Sequence, residues 1–121
     1  MRIVRLDDVP RRSIDAHDSL GFDLGALGIT ADASLVVVRL RAGGRIGRHP
    51  AAARQLLVLV SGDARVAGYD GVPVDLEPGE AAVWEPGESH ETRSRDGLTA
   101  LVIEGDLDLG APGHHVDPGD I

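Results

Sequence analysis

The sequence contains no cysteine, which excludes disulfide scaffolds, thiolate nucleophiles and Cys-ligated zinc. It contains no lysine either: all 12 basic residues are arginine. Schiff-base and lysine-base mechanisms fall with that absence. Aromatic side chains are scarce, and Phe22, Tyr69 and Trp84 are the whole set. A core therefore has to be built from Val, Leu, Ile and Ala, with Trp84 as its one large ring. No apolar run reaches membrane-spanning length, and the opening "MRIVRLDDVPRR" has no apolar leader segment. Those two absences set the expectation of a soluble cytoplasmic protein with no membrane partner. Positive charge is in deficit: the formal net charge is −8 and the sequence pI about 4.9. Nucleic acid is excluded as the main partner on that balance.

Helical periodicity is also missing, and what is there instead is punctuation. Sixteen Gly and 7 Pro break the chain into short apolar runs. "RIVRL" (2–6), "SLVVVRLR" (34–41), "RQLLVLVSG" (54–62), "AAVWE" (81–85), "HETRS" (90–94) and "LTALVIEG" (98–105) read as strands. "ARVAGYDGVPVDL" (64–76) reads as two short strands joined at "GYDG". The apolar residues of 54–62 fall on both faces, which predicts burial on both. "RRSIDAHDSLGFDLGALGIT" reads as loops with at most one short strand. "DLDLGAPGHHVDPGDI" reads as an acidic tail, and His114-His115 within it as solvent-exposed. At 121 residues the chain fits one domain. Its core is expected over 34–104 and the tail over 106–121. Short strands at close spacing predict an all-β sandwich or barrel.

Two stretches carry the chemistry. In "GGRIGRHPAAARQLLVLVSG", Gly43 is followed after five residues by His49; Ala51, Gln55 and Gly62 complete a spaced series. In "GEAAVWEPGESH", Gly79, Glu85, Pro86, Gly87 and His90 form a second series. The pair resembles the two motifs of the cupin superfamily, and most closely small single-domain bacterial cupins with a "WE-x-GE-x-HE" segment. The resemblance covers about 34–104 and implies a double-sheet jelly-roll β-barrel, a homodimer, and a metal held by three histidines and one glutamate. Carried over by position, His49 and His90 remain as ligands. Ala51 replaces the second histidine and Gln55 replaces the glutamate. Gln55 retains an amide oxygen as a weak donor; Ala51 retains nothing. The family's proline position is occupied by Glu85.

Alternation gives the same cavity without the family. If 49–55 is extended, His49, Ala51, Ala53 and Gln55 point to one side, and Leu57 and Leu59 continue that side as an apolar floor. A mostly apolar cavity with a few convergent polar groups suits a small molecule. Glu85, Glu88 and Glu91 flank His90. Their plainer reading is a solvated acidic rim; the sharper one makes Glu88 or Glu91 a general acid or base. Gln55 reads equally as a satisfied buried amide or a ligand contact. Trp84 reads as core packing. Arg39 and Arg41 read as surface ion pairs before cavity groups, and Arg54 falls on the face opposite His49.

Two functions of different class follow. In one, a small organic molecule binds beside a divalent Fe, Mn, Ni or Zn held by His49, Gln55 and His90. Chemistry of oxygenase, isomerase or lyase type would follow from the metal or from His/Glu proton transfer. In the other, the same cavity binds or senses a small molecule without metal or catalysis, and Ala51 and Gln55 favour this reading. An accessory structural subunit ranks last.

Overall fold

The structure is a computed structural model and describes residues 1–5, 8–10, 12–15, 18, 20, 22–24 and 29–109. In chain order the strands are β1 (Arg2–Arg5), β2 (Arg12–Ile14), β3 (Phe22–Leu24), β4 (Ile29–Leu40), β5 (Arg45–Pro50), β6 (Arg54–Gly62), β7 (Ala64–Ala67), β8 (Val74–Leu76), β9 (Glu80–Trp84), β10 (Ser89–Arg93) and β11 (Leu98–Asp108). There is no α-helix among the described residues, and so no helix long and apolar enough to cross a membrane. All strand pairings are antiparallel. β1-β9-β6-β11-β4 form a five-stranded sheet and β5-β10-β7-β8 a four-stranded one, with β2 and β3 as a separate hairpin pair.

The two large sheets enclose one core. Alternation sends Leu57 and Leu59 of β6, Ala82 and Trp84 of β9, and Ala100 and Val102 of β11 inward, where they meet Ala64, Val66 and Leu76 of the four-stranded sheet. A second cluster covers the outer side of the five-stranded sheet: Leu56, Ala81, Val83 and Leu107, with Val4, Val58 and Ile103 packed against them. The doubly apolar pattern of β6 is thus explained by two cores, one on each face. Towards its C-terminal end the outer face opens to solvent, and Val60 is exposed there.

β6 occupies 54–62, as its sequence predicts. β11 runs three residues beyond its predicted end, because Leu107 and Asp108 still pair with Thr30 and Ile29 of β4 past a bulge at Gly105–Leu107. The run 45–50 is not among those that read as strands, and extension at 49–55 enters only as a premise of the His49 alternation. β5 is a strand because it lies at the edge of the four-stranded sheet, where only one side needs backbone partners and Pro50 at its end is tolerated. Residues 11–30, read as holding at most one short strand, hold both β2 and β3 and the start of β4. His114 and His115 lie outside the described residues.

Candidate functional site

The site starts from one cross-strand pair. His49 on β5 stands directly opposite His90 on β10, and their ring centroids are 4.5 Å apart. His90 is buried, at 2% exposure, while His49 is exposed at the rim. On its other side His90 stacks on Trp84, with centroids 4.4 Å apart and planes inclined by 28°. Trp84 is fully buried and is the cross-strand neighbour of Gln55. Gln55 in turn faces Glu104 across β6 and β11, and its Nε2 donates to a Glu104 carboxylate oxygen at 2.7 Å. The result is a continuous chain of polar and aromatic groups: His49, His90, Trp84, Gln55, Glu104.

The two imidazoles are held alike. Nδ1 of His49 lies 2.7 Å from the Gly47 carbonyl oxygen, and Nδ1 of His90 lies 3.0 Å from that of Glu88. A carbonyl oxygen can only accept, so each Nδ1 carries a hydrogen, and in the neutral form of either ring Nε2 is the bare nitrogen. Burial pushes the His90 pKa below its ordinary value, and the neighbouring His49 adds to this. The Glu88 carbonyl and the Glu88 and Glu104 carboxylates oppose the shift without cancelling it. His90 is therefore neutral at neutral pH. The indole N–H of Trp84 is buried without a hydrogen-bond partner; such a group costs about 1–3 kcal/mol.

The structure unites three of the residues read from sequence and separates two. His49, His90 and Gln55 belong to one chain of contacts, although not by the route expected. The segment 51–53 is a bend between β5 and β6, so alternation does not run from His49 to Gln55. Ala51 is buried, with its backbone N–H bonded to the Glu88 carbonyl and its carbonyl to the Gly87 N–H. Glu88 does not turn to the histidines, its parity notwithstanding. One oxygen accepts the Glu85 N–H, and the other accepts the Tyr69 N–H and the Met1 ammonium at 2.8 Å. Burial would raise the Glu88 pKa, but these bonds outweigh it and hold the carboxyl below its ordinary value. Glu91 alternates away from His90 and pairs with Ala67 on the outer side of β10. Glu85 is exposed and bonded to Arg54. Arg39 shares the outer side of β4 with Leu35 and Val37, which are both exposed.

Sequence reasoning missed Glu104. Its signal was the alternation Leu98, Ala100, Val102, Glu104 in β11, which continues the inward face by one polar step.

The family model described as "Cupin domain" matches residues 36–104, more than half of the chain. The chain belongs to the cupin family. Its two antiparallel sheets are the double-stranded β-helix of that fold. Among solved structures, this cupin is similar to a conserved protein of unknown function from Streptococcus pyogenes: 22% identity over 63% of this chain and 66% of that one, TM-score 0.56. It is similar to a protein from Neisseria meningitidis: 30% identity over 64% of this chain and 79% of that one, TM-score 0.54. A third match is a structure of DMSP lyases: 22% identity over 68% of this chain and 46% of that one, TM-score 0.57. This cupin thus spans just under two thirds of the first and less than half of the third. No curated protein matches.

The resemblance implies a metal, and the donor set does not fit one. Ala51 offers no ligand atom, and Gln55, whose Nε2 donates to Glu104, offers only a neutral amide oxygen. Among the described residues no three His, Cys, Asp or Glu side chains converge as a metal site. Two imidazoles fall short of the three protein ligands and compensating carboxylate charge usual for catalytic divalent cations.

Proposed function

We propose that this cupin binds a small organic molecule at the His49–His90 end of its barrel, and holds it without a metal. The observation that carries the reading is the matched pair of Nδ1–carbonyl bonds. They give both rings the same tautomer when neutral, with Nε2 as the acceptor, on two imidazoles whose centroids are 4.5 Å apart. A ligand that presents hydrogen-bond donors, such as a hydroxyl or amine compound, satisfies both acceptors. Glu104, held by Gln55, adds a third acceptor with charge. Leu57, Leu59 and Val102 belong to the apolar core that lies beneath this end of the sheets.

The test uses untagged protein treated with chelator. It is screened by thermal shift against small polyols, amines and hydroxy acids, and hits are measured by calorimetry. Binding is expected to survive chelation. It should weaken about tenfold or more in His49→Ala, an exposed position that folding tolerates, when a hydrogen bond to the ligand is lost. Stoichiometric retention of Fe, Mn, Ni or Zn by the wild type, lost in His49→Ala and His90→Ala, would replace this reading with the metal-dependent one. Hits that bind His49→Ala as tightly as wild type would place the ligand elsewhere.

A further inference from the structure

The outer side of the four-stranded sheet carries an arrangement that the barrel site does not use. Arg45 on β5 stands directly opposite Arg93 on β10, and Arg93 stands directly opposite Arg65 on β7. Directly opposed residues of antiparallel strands share a face, so the three guanidinium groups form one row across three strands. The row continues to β8, where Arg65 is opposite Asp75 and bonded to it through two contacts at 2.8 and 3.3 Å. Arg65 is thereby neutralised. Arg45 and Arg93 are exposed and have no acidic partner among the described residues.

Like charges placed directly opposite destabilise a sheet. That is a strange expense in a chain of net charge −8 with 20 acidic residues available. The same arginines line a groove of about 770 Å³ that also includes Arg95, Asp63 and Glu77. Two of these charges are already engaged. Arg95 pairs with Asp96 at 3.0 Å. Asp63 accepts the backbone N–H groups of Arg95 and Asp96 and the Ser94 hydroxyl, which hold its pKa low. Asp63 and Glu77 keep their negative charge on the lining, but among the described residues neither forms an ion pair with Arg45 or Arg93.

We propose that Arg45 and Arg93 form a surface site for a phosphate-type oxyanion, either free phosphate or the phosphoryl group of a small molecule. Planar guanidinium forks match the oxygen edges of such an anion, and one dianion bridging both groups removes their mutual repulsion. The site is separate from the imidazole pair and does not depend on what the barrel binds.

The probe is inorganic phosphate, added to the full chain in low-salt buffer and compared with sodium chloride at matched ionic strength. Phosphate is expected to raise the unfolding temperature saturably and beyond chloride. Its affinity should fall about tenfold in Arg93→Gln and in Arg45→Gln, the loss of one charge-assisted contact. It should be unchanged in Arg39→Gln, an exposed arginine on β4. Without phosphate, Arg93→Gln should unfold no lower than wild type, because the substitution removes a repulsion. Glycerol phosphate separates the sources. Tighter binding than inorganic phosphate assigns the site to a phosphorylated molecule, and equal or weaker binding assigns it to free phosphate. A phosphate effect no larger than that of chloride, or one that survives both substitutions, overturns the proposal.

Discussion

His90 is the residue on which most of the site turns. It touches His49 on one side and Trp84 on the other, and its pKa is lowered first by burial. Since Trp84 is the sole tryptophan, its fluorescence reports on one imidazole. A charged imidazolium against an indole quenches emission and a neutral one quenches less. Emission should therefore fall on acidification with a midpoint below the ordinary histidine value of 6.5. The same titration in His90→Gln should lose that step while His49→Ala retains it. A midpoint at or above 6.5 would contradict the burial argument. The histidines and Gln55 were legible in the sequence because motif spacing fixes their places. Glu104 was legible only as an inward-facing residue of β11; its bond to Gln55 depends on the register of β11 against β6, and no spacing within one strand reveals a register between two. Glu88 misled for a related reason: parity places its Cα, but three hydrogen-bond donors decide where its carboxylate goes.

At the scale of strands and turns, apolar runs were read well and glycine-rich ones poorly. β6 and β9 had enough Val, Leu and Ala to declare themselves; β5, with glycine at 47 and proline at 50, is a strand only because β10 pairs with it. The glycine that closes the first motif has a physical reason to be one. Gly62 has φ +87°, and a Cβ there would sit 2.0 Å from the Gly97 carbonyl oxygen, which is backbone and cannot swing away. Gly71, in the β7–β8 turn, has φ +72° with open space around it. Alanine at either position pays for the left-handed conformation, about 1–2 kcal/mol. Only at position 62 must the β6–β11 contact also separate. Gly71→Ala is expected to lose roughly that amount in urea unfolding, and Gly62→Ala to lose distinctly more or fail to fold. Equal losses would show that the close approach of Gly62 and Gly97 carries no weight. Within the core, Leu57→Ala is expected to cost about 2–5 kcal/mol, since Leu57 is buried at 1% exposure among residues of both sheets.

For the molecule as a whole, the titratable groups predict acid sensitivity in two separate steps. His90 has a folded pKa below its unfolded one, so the unfolded chain takes up its proton first as pH falls. Between those two values the unfolded state holds more protons, and stability declines with falling pH. This step begins near 6.5, the ordinary value, and is complete below the folded pKa. The carboxylates act lower down. Glu88 is held below its ordinary value of 4.5, and Asp63 and Asp75 below 3.8. Their hydrogen bonds and ion pairs contribute fully above those values and are lost as pH falls through the folded pKa of each. Urea midpoints measured from about pH 7.5 to about pH 3 should therefore fall in two stages with a shallower stretch between them. His90→Gln should flatten the upper stage and leave the lower one. Glu88→Gln should start from a lower midpoint at neutral pH, because its bonds to Met1 and Tyr69 weaken; it should reduce the lower stage and, by removing a charge that holds the His90 pKa up, lengthen the upper one. If His90→Gln retained the upper decline, that decline would belong to some other group, and the neutral His90 on which the proposed ligand contact rests would lose its support.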